Sequence, residues 1–185
     1  EKIHLRSSLD GNVTNDGVDR YRQLNSQHLS FVSVDNKKDS ICLQAQTSCS
    51  KITIVMNSRA DIYQTDEFLK HQVKKTIVKD TGMISEIFSI DAQKGSSYVL
   101  EKFVTIYTSK DGDIPDPQEA SKSLLSEIVC FDQIFKKHKK AWHDLWDKAD
   151  IIIEGDRFSQ RVVRFHIYHL LVTASLHNKN IDAGI

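Results

Sequence analysis

Glu154 and Asp156 stand one residue apart in Asp150-Ile-Ile-Ile-Glu-Gly-Asp156, on what the pattern predicts to be a strand-to-helix turn. Closely spaced carboxylates are the working groups of glycoside cleavage, where one protonates the leaving oxygen and the other acts from the opposite face of the sugar. Their carboxyl groups then lie about 5 Å apart for retention and about 6.5 to 9.5 Å apart for inversion. Two side chains flanking a single glycine are poorly placed to grip a sugar from both sides. Asp156 is therefore expected to cap the next helix, and Glu154 to pair with an arginine, Arg157 or Arg164. His166 and His169, three apart on that helix, are close enough to share a metal, but no cysteine or glutamate stands at a zinc-site spacing. Hydrogen bonding within a packed helix is the expected role. Trp142 and Trp146, four apart, would form a sugar-stacking platform if exposed, or anchor their helix if packed; the large apolar area of indole favours the second.

Other chemistries find little support. Cys42, Cys49 and Cys130 are an odd number without metal-ligand spacing, so free thiols in a reducing, cytoplasmic setting are expected. Lysine plus arginine and aspartate plus glutamate number 25 each, which gives no reason to expect nucleic acid or an acidic membrane surface as a partner. The basic run Lys136-Lys-His-Lys-Lys140 is expected to be the solvated face of a helix. No apolar run approaches the roughly 20 residues that span a bilayer. No phosphate loop, nucleophile elbow or dinucleotide fingerprint occurs, and the 7 glycines fall mostly in turns. No catalytic, cofactor-binding or metal-binding residue is therefore expected within the chain.

The elements that would position these residues fall into two kinds. Ile3 to Leu9, Gln27 to Val34, Ser40 to Gln46, Lys51 to Arg59, Gln72 to Val78, Met83 to Ile90 and Ser97 to Thr108 alternate or carry β-branched residues. The breaks between them, Asp10-Gly11, Asn15-Asp-Gly17, Asp35-Asn36, Asp80-Thr-Gly82 and Lys94-Gly95, have turn chemistry. Short strands at this spacing predict an antiparallel sandwich over residues 1–110, with Val99 to Tyr107 as a central strand. The pattern then changes at Lys110-Asp-Gly-Asp-Ile-Pro-Asp-Pro117, which holds both prolines. Asp116, Pro117 and Glu119 make a helix start. Leu124, Ile128, Phe131, Phe135, His138, Trp142, Leu145 and Ala149 recur at steps of three and four, which predicts one or two helices. Three β-branched residues in Asp150-Ile-Ile-Ile-Glu154 predict a short buried strand. A further helix follows, with a buried stripe of Phe158, Val162, Phe165, Tyr168, His169 and Val172.

Two blocks carry a family resemblance. Ser7-Ser-Leu-Asp-Gly-Asn-Val-Thr-Asn15, continued by Asp19-Arg-Tyr-Arg-Gln-Leu-Asn-Ser-Gln-His28, resembles the later part of the N-terminal sandwich of glycoside hydrolase family 65. Trp142-His-Asp-Leu-Trp146 through Gln160-Arg-Val-Val-Arg-Phe-His-Ile-Tyr-His-Leu-Leu171 to Ile181-Asp-Ala-Gly-Ile185 resembles that family's linker. The resemblance implies an α+β chain. Residues 1–110 would form part of the sandwich, and residues 111–185 a helical linker toward an (α/α)6 catalytic barrel. It also implies a parent enzyme, resembling kojibiose, maltose and trehalose phosphorylases, that cleaves α-linked glucose disaccharides with inorganic phosphate as co-substrate. The products would be inverted, as β-glucose 1-phosphate. The catalytic acid and phosphate ligands would lie downstream of Ile185, in keeping with a chain that opens on Glu1 and finishes on Ile185 as if interrupted. Trp142, Trp146, Arg164, Phe165 and Tyr168 would hold the linker between sandwich and barrel. The resemblance leaves room for a homodimer. A trehalase-type hydrolase of the same family and a free-standing carbohydrate-binding sandwich are the alternatives, the latter requiring exposed Trp142 and Trp146.

Overall fold

The computed structural model describes residues 1–14, 27–37, 39–64, 67–68 and 73–174, and these divide into two compact units, Glu1–Ile128 and Val129–Ile185.

The first unit is a sandwich of two antiparallel sheets. One holds β1 (Lys2–Asp10), β7 (Met83–Asp91) and β6 (Lys74–Asp80) in the order β1-β7-β6. The other runs β2 (Leu29–Lys37), β3 (Ser40–Thr47), β4 (Thr53–Gln64), β5 (Glu67–Phe68), with β8 (Tyr98–Thr108) paired to β4. Alternation places one apolar face of each sheet inward. Leu9, Ile41, Leu43, Ala45 and Ile84 form one buried cluster, and Ala60, Ile62, Phe88 and Ile90 a second. The strands fall near where the alternation predicts them, with some differences. β4 runs on past Arg59 to Gln64, and the short β5 has no counterpart in the pattern. β2 continues through Asp35-Asn36, and its turn follows at Lys37↔Ser40 instead. β8, expected to be central, pairs only with β4 among the described residues, since length and alternation register a strand but not its neighbours. The expected turn at residues 15–17 lies outside the described residues.

The block Ser7 to Thr14 ends in a knot of hydrogen bonds. Gly11 N donates to Gly82 O (2.8 Å), Asn12 N to Asp10 Oδ1 (2.9 Å), and Asn12 Nδ2 to Thr81 O (2.9 Å), so the end of β1 is tied to the turn between β6 and β7. Gly82 has φ 75°, and a Cβ there would meet Asn12 Oδ1 at 2.3 Å. Only glycine fits both the backbone and the contact.

Helix α1 (Pro117–Glu127) belongs to the sandwich unit. Asp116 caps it, accepting from Gln118 N and Glu119 N, as the Asp-Pro start predicts. The helix lies on β4 and β8 through a buried polar contact: Asn57 Nδ2 donates to Ser121 Oγ (2.9 Å), and Thr105 Oγ1 donates to Ser121 O (2.8 Å). Leu125 is buried beside them. At the other end Arg59 donates to Leu125 O (3.4 Å) and Ile128 O (2.8 Å) while its guanidinium lies 5.3 Å from the Phe103 ring centre. Those carbonyls have no partner within the helix, so a cation from the sheet satisfies them and complements the negative helix end.

The second unit contains α2 (Phe131–Ala149) and α3 (Arg157–Thr173). No helix among the described residues is long and apolar enough to cross a membrane.

Candidate functional site

Of the residues singled out for chemistry, Trp146, Arg164, Phe165, His166 and Tyr168 line the groove between α2 and α3, whereas Glu154, Asp156, Trp142 and His169 do not. The groove's position depends on the connector from Asp150 to Asp156, which is not the buried strand that three isoleucines predict. It is extended but unpaired, and Ile152 is 76% exposed. One side chain does the work of a neighbouring strand: Gln160 accepts from Ile153 N (2.6 Å) and donates to Ile151 O (2.8 Å). β-branched residues favour extended backbone, but a ladder needs a second strand, and α3 supplies a glutamine instead.

Both ends of the connector are held by aspartates. Arg164 donates through Nε to Asp150 Oδ1 (2.9 Å) and through Nη2 to Asp150 Oδ2, a bidentate fork. That hydrogen bond is the main reason the Asp150 carboxyl sits below its ordinary range, and it raises the Arg164 guanidinium in turn. Arg164 thus pairs with Asp150 rather than with Glu154, because one turn of α3 beyond Gln160 brings it level with the end of α2. Asp156 caps α3 as predicted: it accepts from Phe158 N (2.9 Å), Ser159 N (3.3 Å) and the Ser159 hydroxyl. The hydroxyl is the largest cause of its lowered pKa, followed by the two backbone donors. Asp156 is thus committed to the helix end.

Trp142 stacks on Tyr168 with ring centres 5.6 Å apart and planes 26° apart, and His138 meets Trp142 edge-on at 6.2 Å. One indole face is therefore occupied by protein. Trp146 is half-buried and lines the groove with Ile152, Phe158, Val162, Phe165 and Tyr168, and the cations of Arg161 and Arg164 stand at its rim. His166 and His169 do not share a ligand site: His166 Nδ1 lies 2.7 Å from Val162 O, and His169 packs against the Phe165 ring at 4.3 Å. Among the described residues no group of three or more His, Cys, Asp or Glu could hold a metal ion. All three cysteines are free.

The stripe expected to be buried on α3 is largely exposed, with Phe158 at 70%, Phe165 at 60% and Tyr168 at 44%. Periodicity identifies the apolar face correctly, but it cannot say whether a partner covers it. Sequence reasoning missed Asp150 and Gln160, the two residues that fix the connector. Nothing but their polarity beside the isoleucine run would have flagged them.

The arrangement is thus a braced helix pair with an apolar face. Comparison with known proteins supplies the identity that this geometry leaves open. Residues 1–145 match the N-terminal domain of glycosyl hydrolase family 65. The chain belongs to that family. An uncharacterised glycosyl hydrolase of Mycobacterium tuberculosis is 34% identical over 183 residues, covering 99% of this chain and 14% of the relative. The α,α-trehalose phosphorylase of Thermoanaerobacter brockii is 31% identical over 194 residues, covering 98% of this chain and 24% of the relative. A solved chain from the human microbiome, named as a candidate kojibiose phosphorylase, shares the fold with a TM-score of 0.66 at 18% identity, over 91% of this chain and 21% of its own. The family 65 chain described here thus spans between about one seventh and one quarter of the length of these relatives. Within the family match, the Ser7 to Thr14 block is accounted for as the knot that ties β1 to the β6–β7 turn. The linker-like block from Trp142 onward contains α3 and both of its aspartate braces; its last part, residues 175–185, lies outside the described residues.

Proposed function

We propose that residues 1–185 form the sandwich-and-linker portion of a family 65 disaccharide phosphorylase and contribute no catalytic group of their own. The observation that carries this reading is the pairing of a rigidly braced α3 with an uncovered apolar stripe, in a chain whose phosphorylase relatives are about four times as long. A helix whose stripe includes Phe158, Phe165 and Tyr168 gains little by standing exposed; such faces mark interaction surfaces. Trp142, Trp146, Arg164, Phe165 and Tyr168 act here as interdomain residues. Arg164 and Trp142 fix α3 against the connector and α2, and Trp146, Phe165 and Tyr168 present the surface that a catalytic domain covers.

The reaction of the whole protein is phosphorolysis of an α-linked glucose disaccharide with inversion to β-glucose 1-phosphate. A single carboxylic acid protonates the departing oxygen while phosphate attacks from the opposite face, so no base is needed to activate the nucleophile. Both substrates bind outside residues 1–185. A trehalase-type hydrolase would use water in place of phosphate on the same scaffold.

A carbohydrate-binding module is the reading to test against this one. Titrating the 185-residue chain with kojibiose, maltose and trehalose should leave its tryptophan emission unchanged, because Trp142 is already stacked on Tyr168. A saturable shift that disappears in Trp146→Ala would make the groove a sugar platform and overturn the scaffold reading.

A further inference from the structure

The interior of the sandwich is not apolar throughout. Along β7 the inward positions run Ile84, Glu86, Phe88; along β1 they run Leu9, Ser7, Leu5; along β4 they run Met56, Ser58, Ala60. In each strand the first residue belongs to or packs on the Leu9–Ile84 cluster, and the third belongs to or packs on the Phe88–Ile90 cluster. Ser7, Ser58 and Glu86 therefore make a polar layer between the two halves of the core. Ser7 and Glu86 are directly opposite in the β1–β7 ladder. They are 5% and 0% exposed, and Ser58 is 0% exposed.

These side chains are not satisfied by protein. Glu86 Oε1 accepts from Lys75 Nζ at 3.1 Å, but Glu86 Oε2, Ser7 Oγ and Ser58 Oγ find no hydrogen-bonding partner among the described residues. Buried polar atoms are nearly always paired, with protein or with ordered water, because a lone buried donor or acceptor loses the full cost of its desolvation. Three orphans from three strands at one level of the core make a coherent site. Glu101 Oε2, the fourth buried orphan, belongs to the face of β8 opposite Lys102 and takes no part.

We propose that this layer encloses an internal water that joins the two sheets. A water has two protons to give and two lone pairs to receive. One proton goes to Glu86 Oε2, which as a carboxylate oxygen only accepts, and the other to one serine Oγ; the second serine hydroxyl donates to the water. A metal cation is the poorer occupant, since Lys75 already compensates the carboxylate and one carboxylate oxygen with two hydroxyls is a thin ligand set for a hard cation. The water joins Ser7 and Glu86, which make no direct bond, and it ties β4 in the second sheet to β1 and β7 in the first.

The test is a crystal structure of the 185-residue chain that shows ordered solvent, with water–protein cross-relaxation measured in solution on the same chain. The expected result is one solvent peak about 2.7 to 3.2 Å from Glu86 Oε2 and from at least one of the two serine hydroxyls. It should be matched by a long-lived water signal to β1 and β7. The double variant Ser7→Ala/Ser58→Ala should lose that peak. A dry interior, with the Ser7 hydroxyl turned directly onto Glu86 or a backbone carbonyl, would overturn the proposal, as would a peak that persists unmoved in the double variant. Because the unsubstituted chain decides the first point, failure of the variant to fold leaves the proposal exposed to refutation.

Discussion

At Glu86 burial and charge act against each other. Burial is the larger influence and lifts its pKa above the ordinary 4.5, while Lys75 partly offsets it and the charges of Asp61 and Lys102 act from the facing sheet. A carboxyl with a raised folded pKa binds its proton more tightly in the native state than in the unfolded chain. Its contribution is therefore best below pH 4.5 and is lost as pH rises through the raised value. Denaturant melts between pH 4 and pH 7 should show the unsubstituted chain losing stability relative to Glu86→Gln as pH rises; parallel curves would contradict the assignment. Ser121 is a second residue whose loss is predictable. Ser121→Ala removes the acceptor of the buried Asn57 amide and should cost about 1 to 3 kcal/mol in chemical denaturation, the usual penalty for stranding a buried polar group. Neither residue was legible from sequence. A serine in a strand or helix and a glutamate in an alternating run look solvent-facing until the opposing sheet is known.

Elements were more legible than their surroundings. Alternation located the strands, and Asp116 and Asp156 marked two helix starts because short acidic side chains reach the first free backbone N–H groups. The isoleucine connector is not a strand, because β-branching registers propensity and not partners. The α2 start was also silent: Cys130 occupies the cap position without a side-chain bond, and only Gln133 reaches back, accepting from Val129 N at 3.3 Å. Cys130→Ser would complete a cap of this kind and should raise α2 stability by about 0.5 to 1 kcal/mol, read as slower amide exchange in its first turn. In α3 the sign of the pH response is opposite to that of Glu86. Asp150 and Asp156 have lowered pKa values, so their support is present above pH 3.8 and lost as pH falls through the depressed values. Amide exchange at residues 157–160 should accelerate in acid before the sandwich opens, and Arg164→Met should abolish the part of that response due to Asp150.

On the scale of the molecule, the sequence carried the class, an antiparallel sandwich followed by helices, and two end blocks that resemble family 65. It did not carry the attachment of α1 to the sheets, which rests on Asn57, Thr105 and Ser121 meeting across 64 and 16 residues of chain. Nor could it carry the exposure of the α3 stripe, since an apolar face looks the same whether its partner is present or absent. The candidate site consequently has residues of the right types for sugar chemistry, yet three of them are committed elsewhere: Asp156 to a helix end, Trp142 to Tyr168, Arg164 to Asp150. The central claim is that this chain supports an active site without containing one. It is tested most directly by assaying phosphate-dependent release of β-glucose 1-phosphate from α-linked diglucosides, on residues 1–185 and on the longest gene product carrying them. Release by the longer protein with none from the 185-residue chain is the predicted result. Release by the 185-residue chain alone would contradict the account and make Glu154 and Asp156 the first residues to substitute.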